Sequence, residues 1–213
     1  MRLLILLLVT TLCASTAFAD PTKELQLLLT SKGSGAIALG DPMELEMRLR
    51  NVSDQPVAVV RPGDGSESGW REPSMYFSAE KKTAHGWQNV ERRPIGRCGL
   101  YNSNWQDDVV VLKPGEEIDV GVWMPTPYSY FNLSEGTYRF RLHYNYTRGE
   151  AEKKSLGNDA EVPPSLVDTP AFSLVSEPLI YKINPVHTQQ SKCSPTKPTA
   201  RRPSRPGDGP AGS

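Results

Sequence analysis

Apolar side chains recur at every second position along much of this chain. Tyr138, Phe140, Leu142, Tyr144 and Tyr146 alternate with Arg139, Arg141, His143 and Asn145. A period of two puts one set on a buried face and the other in water, so this stretch is predicted to be a strand. Met43, Leu45, Met47 and Leu49 alternate in the same way with Glu44, Glu46, Arg48 and Arg50, and Leu25, Leu27 and Leu29 share a face. Strict alternation points to antiparallel strands with one wet side. Shorter apolar stretches fall at residues 36–39, 56–61, 74–79, 87–91 and 109–112, then at 117–123 with Ile118, Val120 and Val122 inward. A last one, 171–183, is broken by Pro178, which fits an edge position or a bend. Eight or nine short strands follow, with no long amphipathic helix. The fold class is all-β.

Between the strands the residues favour turns. Lys113-Pro114-Gly115-Glu116 reads as a type I or II turn, because proline presets φ and glycine accepts a positive one. Residues 74–79 and 87–91 read as a hairpin. Residues 62–73 are a long polar excursion, 125–132 an aromatic loop, and 147–170 a loop of unusual length for a compact domain.

Leu133-x-x-Gly136-x-Tyr138 resembles the tyrosine corner of immunoglobulin-like sandwiches, in which a buried phenol bonds to nearby backbone. The resemblance spans residues 25–183. It implies an immunoglobulin-like antiparallel β-sandwich with long loops, in which Leu133, Gly136 and Tyr138 are structural. No cysteine pair brackets a tryptophan, so the likeness is to fibronectin type III or general bacterial immunoglobulin-like modules and not to antibody domains. A looser similarity to small exported proteins of the intracellular proteinase inhibitor type runs through Asn51, Val57, Trp87, Leu112, Pro114, Gly115, Glu116, Gly136 and Tyr138. Turn and strand signals of this kind transfer a fold and not an activity.

The two ends differ from the middle. Met1-Arg2, an apolar run over 3–11 and Ala17-Phe18-Ala19 before Asp20 form the pattern of a secretory signal peptide at 1–19. The run is shorter than the roughly 18–20 residues of a spanning helix, and no other segment of the mature chain is long and apolar enough to be transmembrane. The expected product is exported, to the periplasm, the cell surface or the medium. Residues 20–183 form the domain. Residues 184–213 are rich in proline and arginine and read as a disordered tail.

The 213 residues hold 24 basic and 24 acidic side chains. The tail takes Lys192, Lys197, Arg201, Arg202 and Arg205 against Asp208, and Arg2 lies in the leader, which leaves 18 basic and 23 acidic residues in 20–183. A basic tail on an acidic domain is either a contact for anionic surfaces or simply solvated. Once Cys13 leaves with the leader, Cys98 and Cys193 remain. In an oxidising compartment they either pair and staple the tail to the domain or leave Cys193 for an intermolecular bridge.

Reactive constellations are not legible. There is no G-x-S-x-G elbow, no H-E-x-x-H and no C-x-x-C. His85, His143 and His187 are far apart, with His143 on the wet face of its strand. Asp64, Glu67, Asp107 and Asp108 do not follow a calcium-loop pattern. No cofactor is implied, and an acidic domain without a basic aromatic groove argues against nucleic acid. Three N-x-S/T sequences start at Asn51, Asn132 and Asn145. The aromatic residues carry more information. Trp123, Tyr128, Tyr130 and Phe131 sit in or beside the 125–132 loop and form the candidate contact surface, since exposed Trp and Tyr give large rigid contacts. The expected function is therefore a non-enzymatic binding or scaffolding module with a protein or carbohydrate partner. The alternatives are an inhibitor of an extracellular protease presenting loop 62–73 or 125–132, and an unrecognised hydrolase or metal-dependent enzyme.

Overall fold

The computed structural model describes residues 23–94, 108–147 and 168–185. The leader, Cys98, Cys193, Trp105, most of 147–170 and the tail beyond residue 185 lie outside them. The described chain is dominated by strands. These are β1 (Leu25–Ser31), β2 (Ala36–Ala38), β3 (Leu45–Asn51), β4 (Val57–Val60), β5 (Ser74–Thr83), β6 (Gly86–Asn89), β7 (Val109–Leu112), β8 (Glu117–Asp119), β9 (Gly136–Tyr146), β10 (Phe172–Val175) and β11 (Leu179–Asn184). One three-stranded sheet has the order β1-β3-β8, and β4 pairs with β7. A six-stranded sheet runs β2-β11-β9-β5-β6, with β10 also on β9. All pairings are antiparallel except that of β2 with β11.

Strand β9 organises the larger sheet. One edge pairs with β5; the other is shared by β11 over its first half and β10 over its second. Pro178 separates the two partners because it has no N–H for the ladder. At the interruption Ser176 N–H donates to Leu142 O at 2.9 Å, and Ser176 Oγ accepts the Leu142 N–H at 2.9 Å. A side-chain hydroxyl thus takes the place of a backbone acceptor. The alternate residues Tyr138, Phe140, Leu142, Tyr144 and Tyr146 are buried, and with Leu27, Leu49, Val59 and Phe77 they belong to one hydrophobic cluster drawn from all three sheets. Each such side chain contributes about 1.5–3 kcal/mol on burial.

Two buried polar groups tie turns to this core. The Tyr138 phenol is 1% exposed, and its oxygen accepts the Ser134 backbone N–H at 3.0 Å. Gly136, between them, has φ +143°, a conformation L side chains rarely adopt. Asn51 is fully buried. Its Nδ2 donates to Gln55 O and Leu112 O, and its Oδ1 accepts from Ser53 N–H. The Asn51 amide is therefore inside the fold and closed to glycosylation in the folded state. Across from it, Glu116 N–H donates to Lys113 O at 3.0 Å with Gly115 at φ +77°, the type II form of the expected turn.

Four expectations need correction. Strand β5 runs on to Thr83, so the hairpin with β6 has arms longer than 74–79. Strand β8 stops at Asp119, whose Oδ1 accepts the Gly121 N–H at 2.8 Å and turns the chain. Val120 stays buried, but Val122 is 73% exposed and does not point inward. The 125–132 segment contains a helical turn, α1 (Pro127–Tyr130), entered through a proline at its first position. Finally, 62–73 is a compact buried loop. Pro62, Gly63, Gly65, Ser66, Glu67, Arg71, Glu72 and Pro73 are all buried, and only Gly69 and Trp70 at the tip are well exposed. Ser66 Oγ accepts the Gly63 N–H and Glu67 Oε2 the Gly65 N–H, both at 3.1 Å. Arg71 lies flat against Gly63, where any Cβ would collide with the guanidinium, and forms an ion pair with Asp108.

Candidate functional site

The outer face of the six-stranded sheet gathers the functional side chains that the sequence leaves scattered. Register sets them in rows. Tyr76 of β5 stands opposite His143 of β9, which stands opposite Val175 of β10. Glu80 stands opposite Arg139, which stands opposite Ile180 of β11. Ser78 and Arg141 form the row between. Lys82 pairs with Trp87 of β6 at one end, and Lys182 follows Ile180 on the far side after the buried Tyr181.

Planar groups are locked against one another across these rows. The Glu80 carboxylate holds both arginines: Arg139 through a bidentate pair and Arg141 Nη1 at 3.0 Å. Bidentate guanidinium–carboxylate geometry is the strong form of this contact. The hydrogen bond from Arg139 is the main reason that the Glu80 carboxyl lies below its usual range. Arg139 also lies over the Trp87 ring at 4.8 Å. The His143 and Tyr76 rings stack at 4.5 Å, tilted by 5°. Arg92, just after β6, lies over Tyr76 at 5.2 Å and over Tyr130 at 4.8 Å. Such stacking contributes about 0.5–1 kcal/mol per pair at exposed sites, and it holds flexible arginines in place.

His143 is half-buried, not a free surface residue. Its Nε2 lies 2.8 Å from Ser78 Oγ. Desolvation, and then the charge of Arg141, lower its pKa. Both effects favour the neutral ring, whose Nε2 can then accept a hydrogen bond from the Ser78 hydroxyl. No local motif in the sequence marks this hydroxyl beside an imidazole, because the two side chains are 65 residues apart and meet only through the β5–β9 register. A hydroxyl–imidazole pair on a strand face is not by itself a hydrolytic centre: the oxyanion donors and the orienting acid of such centres are further requirements.

The residues singled out from the sequence separate. Tyr130 is fully buried and Phe131 is 2% exposed; both pack in the core near Phe77 and Phe140, so neither can form a contact surface. Their apolar faces fill the space beneath α1, and a loop position in sequence did not reveal that. Tyr128 is half-buried, its hydroxyl accepting the Gly40 N–H at 3.3 Å. Trp123 is 52% exposed and stands beside Val122 on the turn closed by Met124 N–H to Gly121 O at 3.0 Å. Leu133 packs against the core beside Tyr138. Trp87 is on the outer face under Arg139.

Among the described residues there is no group of three or more His, Cys, Asp or Glu placed to hold a metal ion, and no helix is long and apolar enough to cross a membrane. No protein-family model matches the chain, and no curated protein matches it.

Proposed function

We propose that this chain is an exported, non-enzymatic binding module, built as an immunoglobulin-like antiparallel sandwich, that engages an acidic protein surface through the outer face of its six-stranded sheet. One observation carries the reading. Lys82, Arg139, Arg141 and Lys182 share that face, where Glu80 pairs with the two arginines, although 20–183 as a whole is acidic. Segregated charge of this kind steers an oppositely charged partner and sets its orientation. The composition fits a protein more closely than a carbohydrate. Trp, Tyr and Arg are the residues that dominate protein interfaces, and here they are already stacked. Val175 and Ile180, 51% and 48% exposed, lie in the same rows as His143 and Arg139 and are suited to apolar side chains of a partner. The sandwich is supported by the strand order, the parallel β2–β11 pair and the Tyr138 phenol bonded to Ser134.

The test is affinity capture from the source's exported proteins with the wild-type chain, Arg141→Glu and Trp123→Ala. A specific partner retained by wild type and Trp123→Ala but lost by Arg141→Glu is the expected result. A partner lost only by Trp123→Ala would move the interface to the Val122–Trp123 turn. For the inhibitor alternative, the burial of 62–73 restricts what that loop presents to the Gly69–Trp70 tip. An inhibition assay against a protease panel with Trp70→Ala addresses that reading.

A further inference from the structure

The outer face of the six-stranded sheet carries a histidine that has no counter-ion of its own. His143 follows Arg141 by two residues on β9, on the same side of the sheet. From β5, the Tyr76 ring stacks on the imidazole at 4.5 Å, and Ser78 Oγ lies 2.8 Å from Nε2. From β10, Val175 stands opposite it, and the hydroxyl of Ser173 is occupied with Asn145 Oδ1 at 2.5 Å. From the segment after β6, Arg92 lies over the Tyr76 ring. Glu80, the carboxylate of the β5–β9 rows, is held by Arg139 and Arg141. Among the described residues no carboxylate forms an ion pair with His143.

This surrounding makes the second proton of the ring optional. The neutral ring accepts the Ser78 hydroxyl at Nε2. The imidazolium donates from Nε2 to Ser78 Oγ instead, since a hydroxyl is both donor and acceptor and rotates to suit. The contact persists in both states, and no strand has to move. In the free chain, partial burial and Arg141 oppose the charge. A carboxylate that a partner brings to Arg141 acts in the other direction, because an anion within about 4–6 Å favours the charged form. Proton uptake and partner binding are then linked, and each strengthens the other by the same factor. Protonated His143 adds a cation to a face that attracts acids, so affinity rises as pH falls through the range in which the ring gains its proton, below about 6.5.

We propose that His143 is a pH gate on the outer-face site: protonation of its imidazole adds a cation beside Arg141 and tightens the hold on a carboxylate-bearing protein partner in mildly acidic surroundings. The gate rests on the outer-face reading and names the condition under which that site is strongest.

Fluorescence anisotropy of a labelled tetra(vinyl sulfonate), whose charge is constant over the range used, tests the gate on the whole chain at pH 7.5 and 5.5. Wild type is expected to bind about three- to tenfold more tightly at pH 5.5, the effect of one added charge a few Å from an anion in a partly solvated site. His143→Gln is expected to lose that gain. His143→Lys is expected to bind at pH 7.5 as wild type does at pH 5.5, and His85→Gln, changed at an exposed residue of the β5–β6 turn, to behave as wild type. Proton NMR of the His143 Cε1–H needs no substitution: its titration midpoint is expected to move to higher pH when the sulfonate is present. Arg141→Glu separates the gate from the face that it serves. The absence of saturable binding, or binding that Arg141→Glu leaves unchanged, would overturn both. Binding that requires Arg141 but gains equally from acid in wild type and His143→Gln, or an NMR midpoint that the sulfonate does not move, would overturn the gate and leave the face standing.

Discussion

Single side chains decide whether the turns of this molecule are anchored. The Tyr138 phenol is buried, and its oxygen is the acceptor that satisfies Ser134 N–H. Tyr138→Phe keeps the ring and removes the acceptor, and is expected to cost about 0.5–1.5 kcal/mol, the net worth of one hydrogen bond whose donor, on exposed Ser134, can turn to water, read as a lower urea midpoint with unchanged slope. The spacing Leu133-x-x-Gly136-x-Tyr138 made this residue legible, because the motif is local and its geometry repeats wherever glycine permits the bend. His143 is the opposite case. Its folded pKa is lowered by desolvation and Arg141, against an ordinary value near 6.5. The unfolded chain therefore binds the proton first as pH falls, so the contribution of His143 to stability is complete above about pH 6.5 and is lost below it. Between pH 7.5 and 5.5 the wild-type urea midpoint is expected to fall more than that of His143→Gln. A midpoint difference that does not change with pH would contradict this sign. Nothing near His143 in sequence indicates its burial; Tyr76 and Ser78, which cause it, arrive through sheet register.

At the scale of elements, the alternating stretches appear where the pattern put them, and their ends do not. β9 shows the half-buried and buried alternation of its sequence from Thr137 to Tyr146. β8 is shorter than its apolar period, because the Asp119 side chain takes the Gly121 N–H and diverts the backbone after three residues. An Asx turn needs only one side chain, and hydrophobic periodicity is blind to it. The break at Pro178 was legible, but its repair was not: the Ser176 hydroxyl stands in for the missing strand acceptor. Ser176→Ala is expected to leave Leu142 N–H unsatisfied inside the sheet and to destabilise by about 1–3 kcal/mol. Hydrogen exchange at Leu142 should accelerate more than at residues of β1, which localises the loss to the β9–β10–β11 junction.

Over the whole molecule, the decisive property is the separation of charge between an acidic domain and one basic sheet face. Binding through that face is expected to weaken steeply with salt, since exposed charges are screened over about 8–10 Å near physiological ionic strength. Raising NaCl from 50 to 500 mM should lower affinity for the captured partner by at least tenfold in the wild type and by clearly less in Lys182→Gln, which removes one cation of the face without reversing its charge. Salt-independent affinity would mean that the apolar residues Val175 and Ile180, and not the cations, dominate. The amino-acid sequence by itself determined that strands dominate, the place of the turn at Lys113–Glu116, the inward set on β9 and the glycine and tyrosine of the bend at 136–138, because each depends on interactions between residues a few positions apart. Only the tertiary structure decided that Tyr130 and Phe131 fill the core, that loop 62–73 folds inward on Arg71, and that Glu80, Arg139, Ser78, His143 and Arg92 share one surface. Those juxtapositions depend on which strands pair and at what register, and on how a loop's apolar faces find buried space. Pairing across 59 to 65 residues, as for Glu80 with Arg139 and Ser78 with His143, leaves no periodic trace in the chain that makes it.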